Sequence, residues 1–123
     1  MNRMNPHLWY DREGQPIDVE KADTLLGNPD YKRVGLTEIT SASNPDTSYR
    51  VSTVWLGVNH AFGGGPPIIF ETMVFGPENT DEYMQRYATE AEARAGHAET
   101  VTVVAATVPD ETVTDLDGWP KTA

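Results

Sequence analysis

The sequence predicts a single α+β domain, an antiparallel sheet of three to four strands with two helices. Three observations carry that expectation. Apolar residues recur at helical spacing near 18–26 and again near 89–103. Stretches rich in β-branched and aromatic residues cover 33–40, 49–58 and 68–75. The links between those stretches are too short for a crossover helix, so neighbouring strands must run antiparallel. At 123 residues the chain has the common size of one domain. The domain is expected over 1–108, followed by an acidic, flexible tail at 109–123.

Leu8-Trp9-Tyr10 is a short apolar run before the turn signal Asp11-Arg12-Glu13-Gly14, and reads as an edge strand or an ordered lead-in. Asp18 then caps the first helix, whose buried stripe is Val19, Ala22, Leu25 and Leu26. Gly27 and Pro29 stop it. The first strand places Val34 and Leu36 on one face and Ile39 on the other. A turn on Asn44-Pro45-Asp46 leads to the second strand. The third carries apolar residues on both faces: Ile68, Phe70 and Val74 on one, Ile69, Met73 and Phe75 on the other. A half-solvated strand alternates more cleanly, so this strand is expected to be central or covered by the N-terminal segment, a helix or a second copy.

The second helix opens on a capping box, Thr89 with Glu92, and turns Ala93, His97, Val101 and Val104 inward. Its β-branched end, Val101-Thr102-Val103-Val104, fits either a helix or a strand. Beyond it, Pro109, Gly118 and Pro120 break regular structure, with Leu116 and Trp119 as the tail's docking residues.

Nineteen acidic and nine basic residues leave a formal charge of −10, a field that repels phosphate backbones and argues against nucleic acid as a partner. That field suits a solvated surface or a partner with a basic face. There is no cysteine, which excludes disulfides, thiolate zinc sites and cysteine nucleophiles. No apolar run approaches the roughly 20 residues of a membrane span, and the first residues lack the apolar region of a signal peptide. The expected location is the cytoplasm.

Catalytic signatures are sparse. There is no G-x-S-x-G elbow, and Ser52 and Thr53 lie mid-strand. The acidic pairs Asp81-Glu82 and Asp110-Glu111 sit in polar segments and read as solvated charge. His60, Glu71 and His97 are the chemistry-bearing groups nearest to apolar surroundings, but they lie in different elements with no H-x-x-x-H pair to hold a metal. No catalytic residue, metal or cofactor is assigned. The structural reading has His97 hydrogen-bonding from helix to sheet and Glu71 paired with Arg50 or a histidine. The other reading groups Asn59, His60, Phe62, Gly63, Gly64, Gly65, Glu71 and His97 as a ligand or partner contact around the hairpin loop. The three glycines allow left-handed backbone and close approach. The loop leads into a strand and has no nearby lysine, unlike a phosphate loop.

The densest motif is Val54-Trp55-Leu56-Gly57-Val58-Asn59-His60-Ala61-Phe62-Gly63-Gly64-Gly65-Pro66-Pro67-Ile68-Ile69-Phe70-Glu71-Thr72-Met73-Val74-Phe75. It resembles a group of small uncharacterised phage and bacterial proteins, actinobacterial ones especially. Tyr10-Asp11-Arg12-Glu13-Gly14 and the run from Arg86-Tyr87-Ala88-Thr89 to Gly96-His97 belong to the same likeness. Many members of that group have Asp where this chain has Asn59. The resemblance supplies no activity. Small size, sparse catalytic signatures, strong acidity and the two apolar faces of the third strand point to a non-enzymatic interaction protein, and the setting the resemblance implies makes it a phage or prophage accessory factor that binds a host protein or host ligand. The alternatives are a small enzyme or small-molecule binder at the hairpin loop, and a minor virion component. The third strand's two apolar faces add the expectation of a homodimer.

Overall fold

The computed structural model describes residues 8–61, 64–77 and 81–116. Its frame is a five-stranded antiparallel sheet ordered β6-β5-β4-β3-β7. Strands β3 (Arg33–Ser41), β4 (Ser48–Trp55), β5 (Phe70–Phe75) and β6 (Asp81–Tyr87) form a meander, and helix α3 (Glu90–Ala105) then crosses one face to place β7 (Glu111–Asp115) at the far edge. A two-stranded sheet of β1 (Trp9–Tyr10) and β2 (Pro16–Ile17), with α1 (Val19–Leu26) and the single turn α2 (Pro29–Lys32), precedes it.

The local signals act as their chemistry requires. Asp11 Oδ1 accepts from the amides of Glu13 and Gln15, and Gly14 takes φ 85°, which closes the β1–β2 turn. Asp18 accepts from the Lys21 amide at the start of α1. Thr89 and Glu92 form the reciprocal capping box of α3. The Val101-Val104 run is helical, because its inward residues Val101 and Val104 pack with Ala105 on the sheet. β5 is interior, flanked by β4 and β6.

Two apolar clusters fill the space between α3 and the sheet. One gathers Trp55, Ile69, Phe70, Tyr87 and Ala93 with Tyr10 and Val34, and the β1–α2 segment packs over it through Ile17, Leu25, Leu26 and Tyr31. The edge of Tyr31 meets the Trp55 ring at 5.0 Å, and the indole N–H donates to the Tyr10 carbonyl. The other cluster holds Ile39, Val51, Val74 and Val108. Arg12 ties the N-terminal segment to α3: its guanidinium donates twice to the Glu90 carboxylate, at 2.9 and 2.6 Å, and once to the Tyr31 carbonyl. The Arg12 hydrogen bonds hold Glu90 below the usual carboxylate range against the opposing effect of burial.

Several expectations need correction. Among the described residues the sheet has five strands and there are three helices, because β6 and β7 are polar edge strands whose residues lack the apolar alternation that marks a strand in sequence. The segment from 109 is not a tail over its described part: Glu111–Asp115 pairs with β3, and Leu116 N donates to the Leu36 carbonyl. The Ser41 hydroxyl donates to the Pro109 carbonyl, and Asp110 turns the chain at φ 50° into that strand. Ile69 does not share the outer face with Met73 and Phe75; it is fully buried in the first cluster, just before β5 begins. Trp119 lies outside the described residues.

Candidate functional site

The two faces of the sheet differ in chemistry. On the face under α3, Thr37, Thr53 and Thr72 project side by side between the two apolar clusters, and all three are fully buried. His97, one turn into the inward stripe of α3 after Ala93, inserts among them. Its Nδ1 lies 2.7 Å from the Thr53 hydroxyl and its Nε2 lies 2.8 Å from the Thr37 hydroxyl. Thr53 and Thr72, directly opposed in the β4–β5 ladder, share a hydrogen bond at 2.5 Å. Thr37 donates to Asp115 Oδ1 at 2.8 Å.

That last bond sets the direction of the row for a neutral imidazole. Thr37 gives its proton to Asp115, so its oxygen accepts from His97 Nε2–H. Nδ1 is then the acceptor for Thr53, and Thr53 in turn accepts from Thr72. The row satisfies polar groups that would otherwise be costly between two apolar clusters. Gly35 makes room for it, since a Cβ there would lie 3.0 Å from His97 Cε1. The expected helix-to-sheet hydrogen bond of His97 is present, and the threonines that receive it carry no marker in the sequence.

Beyond Thr72 the row stops. The Tyr87 hydroxyl is buried beside the Thr72 hydroxyl, and among the described residues it closes no well-formed hydrogen bond. Burial raises its pKa above the ordinary tyrosine value, partly offset by the nearby Thr72 hydroxyl and reinforced by the charges of Tyr83 and Glu99. Tyr87 lies against α3 at Gly96 and lines a cavity of about 760 Å³ between α3 and the β6 edge.

Glu71 faces the other way. Its neighbour Thr72 points toward His97, so Glu71 lies on the face opposite α3, left uncovered among the described residues. There it pairs with Arg86 across the β5–β6 ladder at 3.1 Å. Arg50, the partner expected from sequence, instead approaches Glu38 at 4.0 Å. His97 and Glu71 therefore do not converge on one cleft. His60 belongs to the loop itself: Nδ1–H donates to the Val58 carbonyl, and its backbone N–H to that of Ile68.

Asn59 latches that loop. Its Oδ1 accepts from the amides of Ala61 and Ile68, joining the two ends of the hairpin. A carboxylate oxygen accepts the same bonds, so an Asp at this position makes the same latch. Gly64 and Gly65 hold φ 90° and 84° in open surroundings, while Phe62 and Gly63 lie outside the described residues. Among the described residues, no three His, Asp or Glu side chains gather as a metal site. No helix among them is long and apolar enough to cross a membrane.

The uncovered face carries Leu36, Val54, Met73 and Phe75, all half-buried, and Met84, 49% exposed. α2 borders it and closes a groove of about 480 Å³. Leu36, Val54 and Phe75 form the groove's apolar floor, and Lys32, Arg33 and Arg50 supply its charge. Sequence reasoning missed this groove, because its cations come from three separate elements. No protein-family model, no curated protein and no solved structure matches the chain.

Proposed function

We propose that this is a non-enzymatic protein-binding module, and that the groove on the uncovered sheet face receives an acidic, apolar segment of a partner protein. The observation that carries the reading is the groove's charge. Three of the chain's nine basic residues line it, and among the described residues no carboxylate does, in a protein with a net charge of −10. Glu38 reaches Arg50 only at 4.0 Å, with both side chains substantially exposed, which leaves most of that cation's field available. An apolar floor with a basic rim favours a segment carrying carboxylates beside aliphatic or aromatic side chains. The likeness of the 54–75 motif to small phage and actinobacterial proteins favours a host protein as the source of that segment.

Affinity capture from a host lysate tests this, comparing wild type with Arg33→Glu/Arg50→Glu and identifying bound proteins by mass spectrometry. The expected result is an acidic-segment protein held by the wild type, released by salt and lost in the double variant. Equal capture by both forms refutes the groove as the site. A dimeric mass in light scattering that the same double variant abolishes assigns the face to a second copy instead.

A further inference from the structure

We propose that the cavity between α3 and β6, on the sheet face opposite the basic groove, is a second site, one that binds a small aromatic amine. Its volume of about 760 Å³ lies within the ~300–1,000 Å³ typical of small-ligand sites. Val74, Val103 and Val104 give it apolar walls, and Tyr49, Tyr83 and Tyr87 add aromatic rings that suit a flat, π-bearing body. Val103 is 60% exposed, an apolar side chain at an open wall rather than in a sealed core.

Two observations specify the polar part of the ligand. Among the described residues, the charged side chains lining the cavity are Glu92 and Glu99, with no Lys or Arg beside them. An anionic ligand is repelled there and a cationic nitrogen attracted, with the tyrosine rings adding cation–π attraction. Glu92 Oε1 is engaged by the Ala88 and Thr89 amides at the helix start, so Glu99 is the principal counter-charge. The second observation is the hydroxyl of the lining residue Tyr87, buried against α3 at Gly96 beside Thr72 and without a well-formed hydrogen bond among the described residues. Native proteins rarely leave such a group unmatched, and a ligand polar atom at the inner end completes it.

The Gly96 backbone explains how the site is built. Any side chain there would run into the Tyr87 ring, so glycine lets α3 close down on the last residue of β6 beside the cavity.

The test uses three probes on one scaffold: tryptamine, indole and indole-3-acetate, titrated into the full chain and followed by backbone amide NMR. The expected result is tightest binding for tryptamine and weakest for indole-3-acetate, about 10-fold or more apart, with shifts centred on Gln85, Gly96 and Val103. Glu99→Gln brings tryptamine down to the affinity of indole. Tyr87→Phe melts at or above the wild type, since it removes an unmatched buried hydroxyl, yet weakens probe binding by about 2–10-fold, the range of one hydrogen bond. The proposal is overturned if no probe shifts the cavity residues at millimolar concentration, if indole-3-acetate binds as tightly as tryptamine, or if Tyr87→Phe leaves binding unchanged. Because the basic groove is on the other face, Arg33→Glu/Arg50→Glu is expected to leave probe binding intact, and loss of binding in that variant also overturns it.

Discussion

Gly96→Ala places two opposing effects on one atom. In an exposed helix the change is favourable by about 1 kcal/mol, because glycine costs more backbone entropy than alanine. Here the new Cβ would lie 2.5 Å from Tyr87 Cε1 and Cζ, and closer still to the hydroxyl. Ordinary contact begins at 3.4 Å, so the ring or the helix must retreat by about 0.9 Å. Neither moves freely. Tyr87 is 8% exposed within the first core cluster, and α3 is held by the His97 hydrogen bonds one residue further on. Overpacking of this kind costs about 1–3 kcal/mol, and the upper end applies where both partners are anchored. Subtracting the helix gain leaves a net loss of about 2 kcal/mol. For a domain of this length that corresponds to a fall in Tm of about 6–10 °C. Differential scanning calorimetry of Gly96→Ala, Tyr87→Leu and the double variant reads it. The double variant should lose clearly less than the two single losses added, since the shorter side chain vacates the space the Cβ needs. A Tm equal to or above wild type for Gly96→Ala would refute the close approach of α3 to β6.

Three further expectations follow from the same structure. Thr89→Ala removes the acceptor for the Glu92 amide and should cost about 1 kcal/mol, read as a lower urea midpoint at unchanged m-value. Glu90 has its folded pKa lowered mainly by the Arg12 hydrogen bonds, from an ordinary value of 4.5. Its contribution is therefore present above that unfolded value and lost as pH falls through the lower folded one. Arg12→Met should then cost about 1.5–3 kcal/mol at neutral pH, and its stability should converge toward wild type as Glu90 protonates; a gap that stays constant on acidification would exclude the ion pair as the cause. Glu71→Gln should change stability by less than about 1 kcal/mol, because the glutamine carbonyl still accepts from Arg86, whose 37% exposed side chain brings solvent to the pair even though Glu71 itself is 14% exposed. A loss of several kcal/mol in urea melts would show that Glu71 is buried on a covered face.

Features that depend on neighbours along the chain are legible in the sequence. The capping box at Thr89 and Glu92, the Asp18 cap, the Gly14 turn and the meander of β3, β4 and β5 all rest on local spacing or short connections. His97 was legible as a helix-to-sheet contact because the stripe Ala93, His97, Val101, Val104 names its direction. Tertiary structure decided the rest. β7 looks like polar tail in sequence, and is a strand only because the edge of β3 offers it unpaired backbone groups. Glu71 and His97 were candidates for one site, yet strand alternation puts them on opposite faces, and that outcome needed the β5 register against β4 and β6. The polar row Thr72, Thr53, His97, Thr37, Asp115 draws on five elements. The basic groove joins α2, β3 and β4, and the cavity joins α3 to β6. No local pattern encodes either, because each exists only where surfaces distant in sequence are brought together by packing.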